Sequence, residues 1–472
     1  MSTREYDLIV IGAGPVGENV ADRAKQGGLS VVVVEHELVG GECSYWACVP
    51  SKALLRPHAA VRGARAVDGA KQAVTGDLDV AAVLRRRDAF VHDWDDAGQV
   101  EWLDSAGIDL VRGHGVLLGP KRVQVTGADG TVTELAAKHA VAVSTGSAAF
   151  VPDDLHGIDP WTSREATSAK QIPASLAIVG GGVVACEMAT AYAALGARVT
   201  VLSRSPLLGG MEPFAGEEVQ AGLEALGATV RTDARVAEAH REEHDTVITL
   251  DDGTRVVAER VLAATGRRPR TDTLGLETIG LDPGSWLDVD DTMLVGGTDW
   301  LYAVGDVNHR ALLTHEGKYQ ARAAGDVIAA RAQGRRVDDA PWGAHVATAD
   351  HAAVPQVAFT EPQVASVGLT AAAAEKAGRR IRVIDCDISQ VSGAGSYTDD
   401  YRGQARAIVD EDRSVIVGMT FVGPDVAEML HSATIAVVGE VPLDRLWHAV
   451  PSFPTVSEVW LRILEAYGRP EL

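Results

Sequence analysis

The sequence predicts an α/β protein with two doubly wound units and a C-terminal α+β unit. Two observations carry this expectation. A strand, a glycine-rich turn and a helix follow one another near the N-terminus and again near residue 176, and from about residue 341 short β-like runs alternate with helical stretches. A chain of 472 residues also exceeds what one hydrophobic core holds, so two to three domains are expected.

Taken in order, the apolar run at 8–11 enters "GAGPVG", a helical stretch follows over Pro15–Gln26, and the β-branched run 31–34 ends in Glu35. That is a βαβ unit. The pattern returns as the strand 176–179, "GGGVVA", a helix to about residue 195 and the strand Arg198–Leu202. Between the two lie a polar helical region, where Trp94 and Trp102 read as packing residues, and a short strand at 141–143 ending in "STGS". "VLAATGRRP" and "LYAVGDV" read as further strands ending in turns. In the tail, β-like runs at 354–359, 381–386, 405–409 and 415–420 alternate with helical stretches near 426–438 and 457–467.

Composition narrows the function classes. A net charge of −22 disfavours nucleic acid and anionic membranes as partners. No run of eighteen apolar residues is present, so no membrane span is expected. The first residues lack a basic segment and a small-residue cleavage site, which reads as a mature chain starting at or near Met1 without a secretory signal. Four cysteines in such a chain point to a reducing compartment, the cytoplasm.

Gly12, Gly14 and Gly17 form G-x-G-x-x-G between strand and helix. The first allows the tight turn, the second lets a pyrophosphate approach the backbone, and the third lets helix and strand pack. Phosphate then meets a helix N-terminus, and Glu35 is placed to accept hydrogen bonds from a ribose. The second copy uses Gly180, Gly182 and Ala185, and its second strand ends in Ser203 and Arg204 instead of a carboxylate. Loss of the acid and gain of a guanidinium favour a 2′-phosphate, hence NADPH over NADH, with a solvated surface arginine as the alternative.

In "GGECSYWACVPSK" Cys43 and Cys48 stand five positions apart. A staple across so short a loop is worth about 2 kcal/mol and has little use in a large intracellular chain. Zinc needs two further ligands, and Cys186 and Cys386 read as small buried residues, so no metal site is expected.

With its two nucleotide motifs, "GGECSYWACVPSK", "STGS", "ATGRRP", "GDV" at 305–307 and "VAFTEPQVASVGLT", the chain resembles the flavin-dependent pyridine nucleotide–disulfide oxidoreductases along nearly its whole length. That family includes dihydrolipoamide dehydrogenase, glutathione reductase and mercuric reductase. The resemblance implies FAD at Gly12, Gly14, Gly17, Glu35, Thr145, Gly146 and Asp306. It implies NAD(P)H at Gly180, Gly182, Ala185, Ser203, Arg204 and Gly266. It makes Cys48 the charge-transfer thiol, Cys43 the interchange thiol and Lys52 with Glu187 the ion pair near the flavin. It also implies a homodimer and a division into an FAD-binding domain (1–149 and 273–342), an NAD(P)-binding domain (150–272) and a dimerisation domain (343–472).

The chain departs from the family where disulfide-reducing members carry His-Pro-Thr-x-x-Glu. Glu458 matches, but Phe453 stands at the histidine, and no phenyl ring can supply acid–base help typically worth 10²- to 10⁴-fold. His448, five positions earlier, reads as a surface or structural histidine. The end "YGRPEL" lacks the cysteine pair of mercuric reductases, and there is no N-terminal metal-binding module. Tyr45 and Trp46 either narrow the approach to Cys43 or fill core space. The expected function is an FAD-dependent NAD(P)H oxidoreductase that passes hydride through flavin to the Cys43–Cys48 disulfide and on to a small-molecule electron acceptor, quinone-like, metal or unusual disulfide. The alternatives are dihydrolipoamide dehydrogenase as the E3 subunit of a 2-oxo acid dehydrogenase complex, and a non-enzymatic redox or metal sensor.

Overall fold

A computed structural model describes residues 3–469. Met1 and the final residues, where the chain start and part of the cysteine-free end were read, lie outside the described residues. The chain forms two compact units.

The first unit comprises the stretch up to Pro50, Asp88–Phe150 and Arg267–Asp350. Its sheet is centred on Arg4–Ile11, which pairs in parallel with Val31–Glu35 on one side and Val132–Val143 on the other. Asp109–Arg112 extends one edge and Leu301–Ala303 adds to Val132–Val143, both in parallel. All five residues of Val31–Glu35 are buried. Burial on both faces is why that strand reads as an unbroken β-branched run. The helices Pro15–Gln26 and Thr314–Ala332 pack over one face, sharing a core with Val10, Val33, Ala142 and Val304.

The strand expected at 141–143 is the end of a longer one, Val132–Val143. Its first half pairs antiparallel with Arg122–Thr126 and mixes Thr133 and Glu134 with Val132, Leu135 and Ala136, so it shows no unbroken apolar run. Trp102 is 37% exposed, not packed, because its short helix Ala97–Ser105 buries only Leu103. Trp94 is half-buried and donates from Nε1 to the Tyr45 carbonyl at 3.1 Å.

The second unit comprises Ser51–Arg87, Val151–Gly266 and the stretch from His351. Four parallel strands run in the order Thr229–Arg231, Arg198–Leu202, Ser175–Val179, Arg260–Ala263. The helix Val183–Ala194 lies in the core with eight residues buried, which is why it reads as apolar all round. The C-terminal part is an antiparallel sheet in the order Pro355–Ala358, Gln363–Gly368, Val415–Gly423, Gln404–Asp410, Ile381–Asp387. Helices Leu430–Val438 and Val459–Tyr467 pack on it. Both expected helical stretches there begin as 3₁₀ turns, Val426–Met429 and Val456–Glu458. Cys186 is buried, whereas Cys386 is only half-buried on its strand. Among the described residues no helix is long and apolar enough to cross a membrane.

Candidate active site

The first glycine-rich turn is shaped by close approach. Gly12 has φ +102°, and a Cβ there would lie 2.5 Å from the Ser144 carbonyl oxygen. A Cβ on Gly17 would overlap the Gly12 carbonyl, whereas one on Gly14 would meet nothing nearer than the Gly41 Cα at 4.0 Å. The three glycines thus divide into a turn, an open face for phosphate and a packing contact. Glu35 closes the loop. Its Oε2 accepts from the Ala13 N–H and its Oε1 from the Glu37 N–H, each at 2.8 Å. Burial pushes this carboxyl up, but bonds from His36 and the two backbone amides outweigh it and hold the group below its ordinary range.

Thr145 follows on the adjoining strand end, and its buried Oγ1 has no hydrogen-bond partner among the described residues. Beside it Gly146, at φ +70°, faces open space. An orphaned buried hydroxyl is costly unless a ligand satisfies it. Asp306 is held at one oxygen by the Ser147 hydroxyl at 2.5 Å, with Arg267 Nε 3.6 Å away. The donor set and the open face fit FAD.

The second turn repeats the division. A Cβ on Gly180 would collide with the Ala264 carbonyl, one on Gly182 would meet nothing within 4 Å, and Ala185 is fully buried. Gly266, at φ +132°, also faces open space. The Ser203 hydroxyl is buried and donates to the Ser205 carbonyl at 2.7 Å, so it shapes the turn, while Arg204 is exposed.

Cys43 lies on the short helix Gly41–Tyr45, and Cys48 opens the helix Cys48–Arg65. The short helix is set against the first turn, since a Cβ on Gly41 would come within 2.7 Å of the Gly14 Cα. Both cysteines are present as thiols. Cys48 Sγ lies 3.5 Å from Thr314 Oγ1. The hydrogen bond that the Cys43 thiol gives to Cys48, together with burial, drives Cys43 up, opposed by the Thr314 hydroxyl and the charge of Lys318. Tyr45 is 2% exposed, with its ring 5.7 Å from that of Trp46. Tyr45 therefore fills core space; Trp46 is half-buried.

In the second unit Lys52 Nζ lies 2.8 and 3.0 Å from the Glu187 carboxylate oxygens. The Phe359 N–H donates to the same carboxylate at 3.0 Å, and the Phe359 ring lies 4.8 Å below the ammonium. Glu187 is buried and Lys52 partly exposed, so the pair is a half-buried ion pair with a cation–π contact. Glu458 Oε2 accepts from the Gly393 N–H at 3.2 Å, Phe453 is 75% exposed, and His448 is exposed. Thr314 was not singled out in the sequence, and Ser147, Arg267 and Phe359 stood there only inside "STGS", "ATGRRP" and "VAFTEPQVASVGLT", without a role of their own. The functional contacts they make, to residues far away in the chain, leave no local signal.

The family pattern described as pyridine nucleotide-disulphide oxidoreductase matches residues 6–334, and that of the dimerisation domain of the same family matches residues 354–463. The chain belongs to this family. It is 31% identical to the dihydrolipoyl dehydrogenase of Halobacterium salinarum over 97% of this chain and 95% of that one. It is 32% identical to the mercuric reductase of Streptomyces lividans over 94% and 93%. The fold matches that of the HOCl-induced flavoprotein disulfide reductase RclA from Escherichia coli, solved as a Cu(II) complex, with TM-score 0.83 at 21% identity over 98% and 99% of the two chains. It also matches that of LpdA from Mycobacterium tuberculosis, with TM-score 0.84 at 23% over 99% and 100%. The family consists of FAD-dependent oxidoreductases that use NAD(P)H, and this chain is such an enzyme.

Proposed function

We propose that this enzyme carries electrons from NADPH through FAD and the Cys43–Cys48 pair to an acceptor that needs no acid to protonate a leaving thiol, namely a quinone-like molecule or a metal ion. The observation that carries this reading is at the C-terminal motif. Phe453 offers no proton, and the Glu458 carboxylate that would orient a histidine accepts from the Gly393 N–H instead.

FAD, when bound, supplies the two-electron relay between nicotinamide and disulfide. Gly14 leaves its phosphates room, Glu35 and Asp306 offer carboxylates, and Thr145 offers an unpaired hydroxyl. Gly180, Gly182, Ala185, Ser203, Arg204 and Gly266 form the nicotinamide nucleotide subsite, where exposed Arg204 favours the 2′-phosphate of NADPH. Thr314 holds a hydroxyl against Cys48. Lys52 and Glu187 serve as the charged pair of the catalytic machinery. The chain acts as a homodimer in the cytoplasm, with exposed Ile435, Val438, Val450 and Phe453 available for an interface, and the segments 1–149, 150–272, 273–342 and 343–472 are its functional divisions.

Anaerobic titration with NADPH tests the relay. Uptake of more than two electrons per flavin in the native enzyme, and of two in Cys43→Ser, is expected. Uptake that stops at two in both refutes it. An acceptor panel of quinones, Cu(II), Hg(II) and disulfides then identifies the outlet. A second reading, dihydrolipoamide dehydrogenase, is favoured by Glu458 and by the relatives of that name. Robust turnover of dihydrolipoamide with NAD⁺ would establish it in place of the first.

A further inference from the structure

The first unit contains a cation of its own on the side of the cysteines. Thr314, whose hydroxyl lies 3.5 Å from Cys48 Sγ, opens the helix Thr314–Ala332, and Lys318 follows four positions later. Side chains at that spacing share one helix face with Cβ atoms about 6 Å apart. Each Cα–Cβ bond of a helix leans towards the N-terminus, so Lys318 leans over the turn that carries Thr314.

The helix cannot readily turn to take Lys318 away. A Cβ on Gly317 would come within 2.6 Å of Val16 Cγ2, and one on Gly325 within 2.5 Å of the Arg23 Cβ, so this helix and Pro15–Gln26 cross in near contact. Arg23 and Asp326 bridge the far end at 2.7 Å. Glu18, on the first helix, feels the opposing charges of Lys318 and Glu35. It is 8% exposed and its Oε1 has no hydrogen-bond partner among the described residues. Burial pushes this carboxyl up to about 7, so below neutrality it is largely uncharged and no longer adds a negative charge near Lys318.

We propose that Lys318 is a positioning residue for the Cys43–Cys48 pair, its ammonium acting with the Thr314 hydroxyl to hold negative charge on the Cys43 sulfur, work for which Phe453 has no equivalent. This rests on the reading of Cys43 as the reacting thiol. The groups that set the charge there are Cys48, Thr314 and Lys318, with Glu18 and Glu35 behind the lysine.

The test is alkylation of the FAD-loaded, full-length enzyme reduced anaerobically with NADPH. The Cys43 thiolate attacks iodoacetamide, an S–C bond forms, and iodide leaves; the rate at each pH reports the thiolate fraction. Modification is read on the Cys43 peptide by mass spectrometry from about pH 6 to about pH 10, which brackets the ordinary thiol value. Lys318→Met is expected to raise the midpoint by about one unit, which slows alkylation below it roughly tenfold. Lys318→Arg, which keeps the charge, should stay near the native profile. Glu18→Gln removes a carboxylate that opposes the lysine and should lower the midpoint. A Lys318→Met profile that superimposes on the native one overturns the proposal. So does a Glu18→Gln midpoint that rises with it, since a merely structural disturbance would move both the same way. If Cys43 in the reduced native enzyme takes no label while Cys386 does, the reacting-thiol reading itself fails.

Discussion

Replacing Lys52 by methionine isolates the energetics of the half-buried ion pair. Glu187 has a side-chain exposure of 5%, against 37% for Lys52, and their charged atoms approach to 2.8 Å. At an effective dielectric near 20 the gross attraction at about 3 Å is roughly 5 kcal/mol. Desolvation of the carboxylate and the partial exposure of the lysine offset much of this. Removing one partner of a fully buried pair costs about 3–5 kcal/mol; with one end in solvent we expect about 2 kcal/mol. The Phe359 N–H remains on the carboxylate, so Glu187 is stranded but not wholly unsatisfied. The double variant Lys52→Met/Glu187→Gln removes the uncompensated charge and should recover about half of the loss. Denaturation of the FAD-saturated enzyme, followed by tryptophan fluorescence, measures all four corners of the cycle. A coupling energy indistinguishable from zero would refute the assignment of a net favourable pair.

Three further outcomes follow from the geometry. Gly12→Ala places a Cβ 2.5 Å from the Ser144 carbonyl at φ +102°, and should abolish stable flavin content, read as the ratio of FAD absorbance to protein. Glu18 has its folded pKa raised from 4.5 to about 7, so its contribution to stability is fully present below about pH 4.5 and is lost as pH rises through 7. Glu18→Gln should therefore gain unfolding free energy relative to native as pH is raised from 5 to 8, by up to about 3 kcal/mol at the high end; a constant difference between the two proteins across that range would contradict the assignment. Arg204→Ala should lower kcat/KM for NADPH about 10- to 100-fold, the worth of one charge-assisted hydrogen bond, and leave NADH nearly unchanged; equal losses for both nucleotides would place Arg204 outside the 2′-phosphate subsite.

The parts of the site legible in the sequence are those whose constraint is local. Gly12 must be glycine because its own φ is positive and a carbonyl crowds it, and the strand–turn–helix around it announces itself in six residues. Glu35 was legible because it ends a strand buried on both faces. The parts that were not legible depend on partners far along the chain. Thr314 meets Cys48 across 266 positions, Phe359 reaches Glu187 across 172, and Ser147 reaches Asp306 across 159. Thr314 sits in an ordinary local pattern, and the motifs "VAFTEPQVASVGLT" and "STGS" do not name the partners of Phe359 and Ser147. Tyr45 and Trp46 show the same limit from the other side, since two aromatics in a loop signal either access or packing, and only the burial of Tyr45 decides its case.

The substitution at Phe453 changes what the rest of the enzyme must do. A disulfide leaving group departs as an anion, and stabilising that anion requires a proton or a nearby positive charge. Cys43 is in an environment that resists ionisation, through burial and the Cys48 hydrogen bond, and Thr314 and Lys318 counter it. A thiol left in that balance is a weak nucleophile towards other disulfides, because exchange runs through the thiolate. On the proposed reading, a quinone-like acceptor takes two electrons and two protons as the pair closes to a disulfide, and no thiol of the acceptor has to leave. The same two features, a phenyl ring at the motif and a buried pair opposed by one lysine, thus argue for an outlet other than disulfide exchange, and they assign the remaining control of the Cys43 charge to the helix that begins at Thr314.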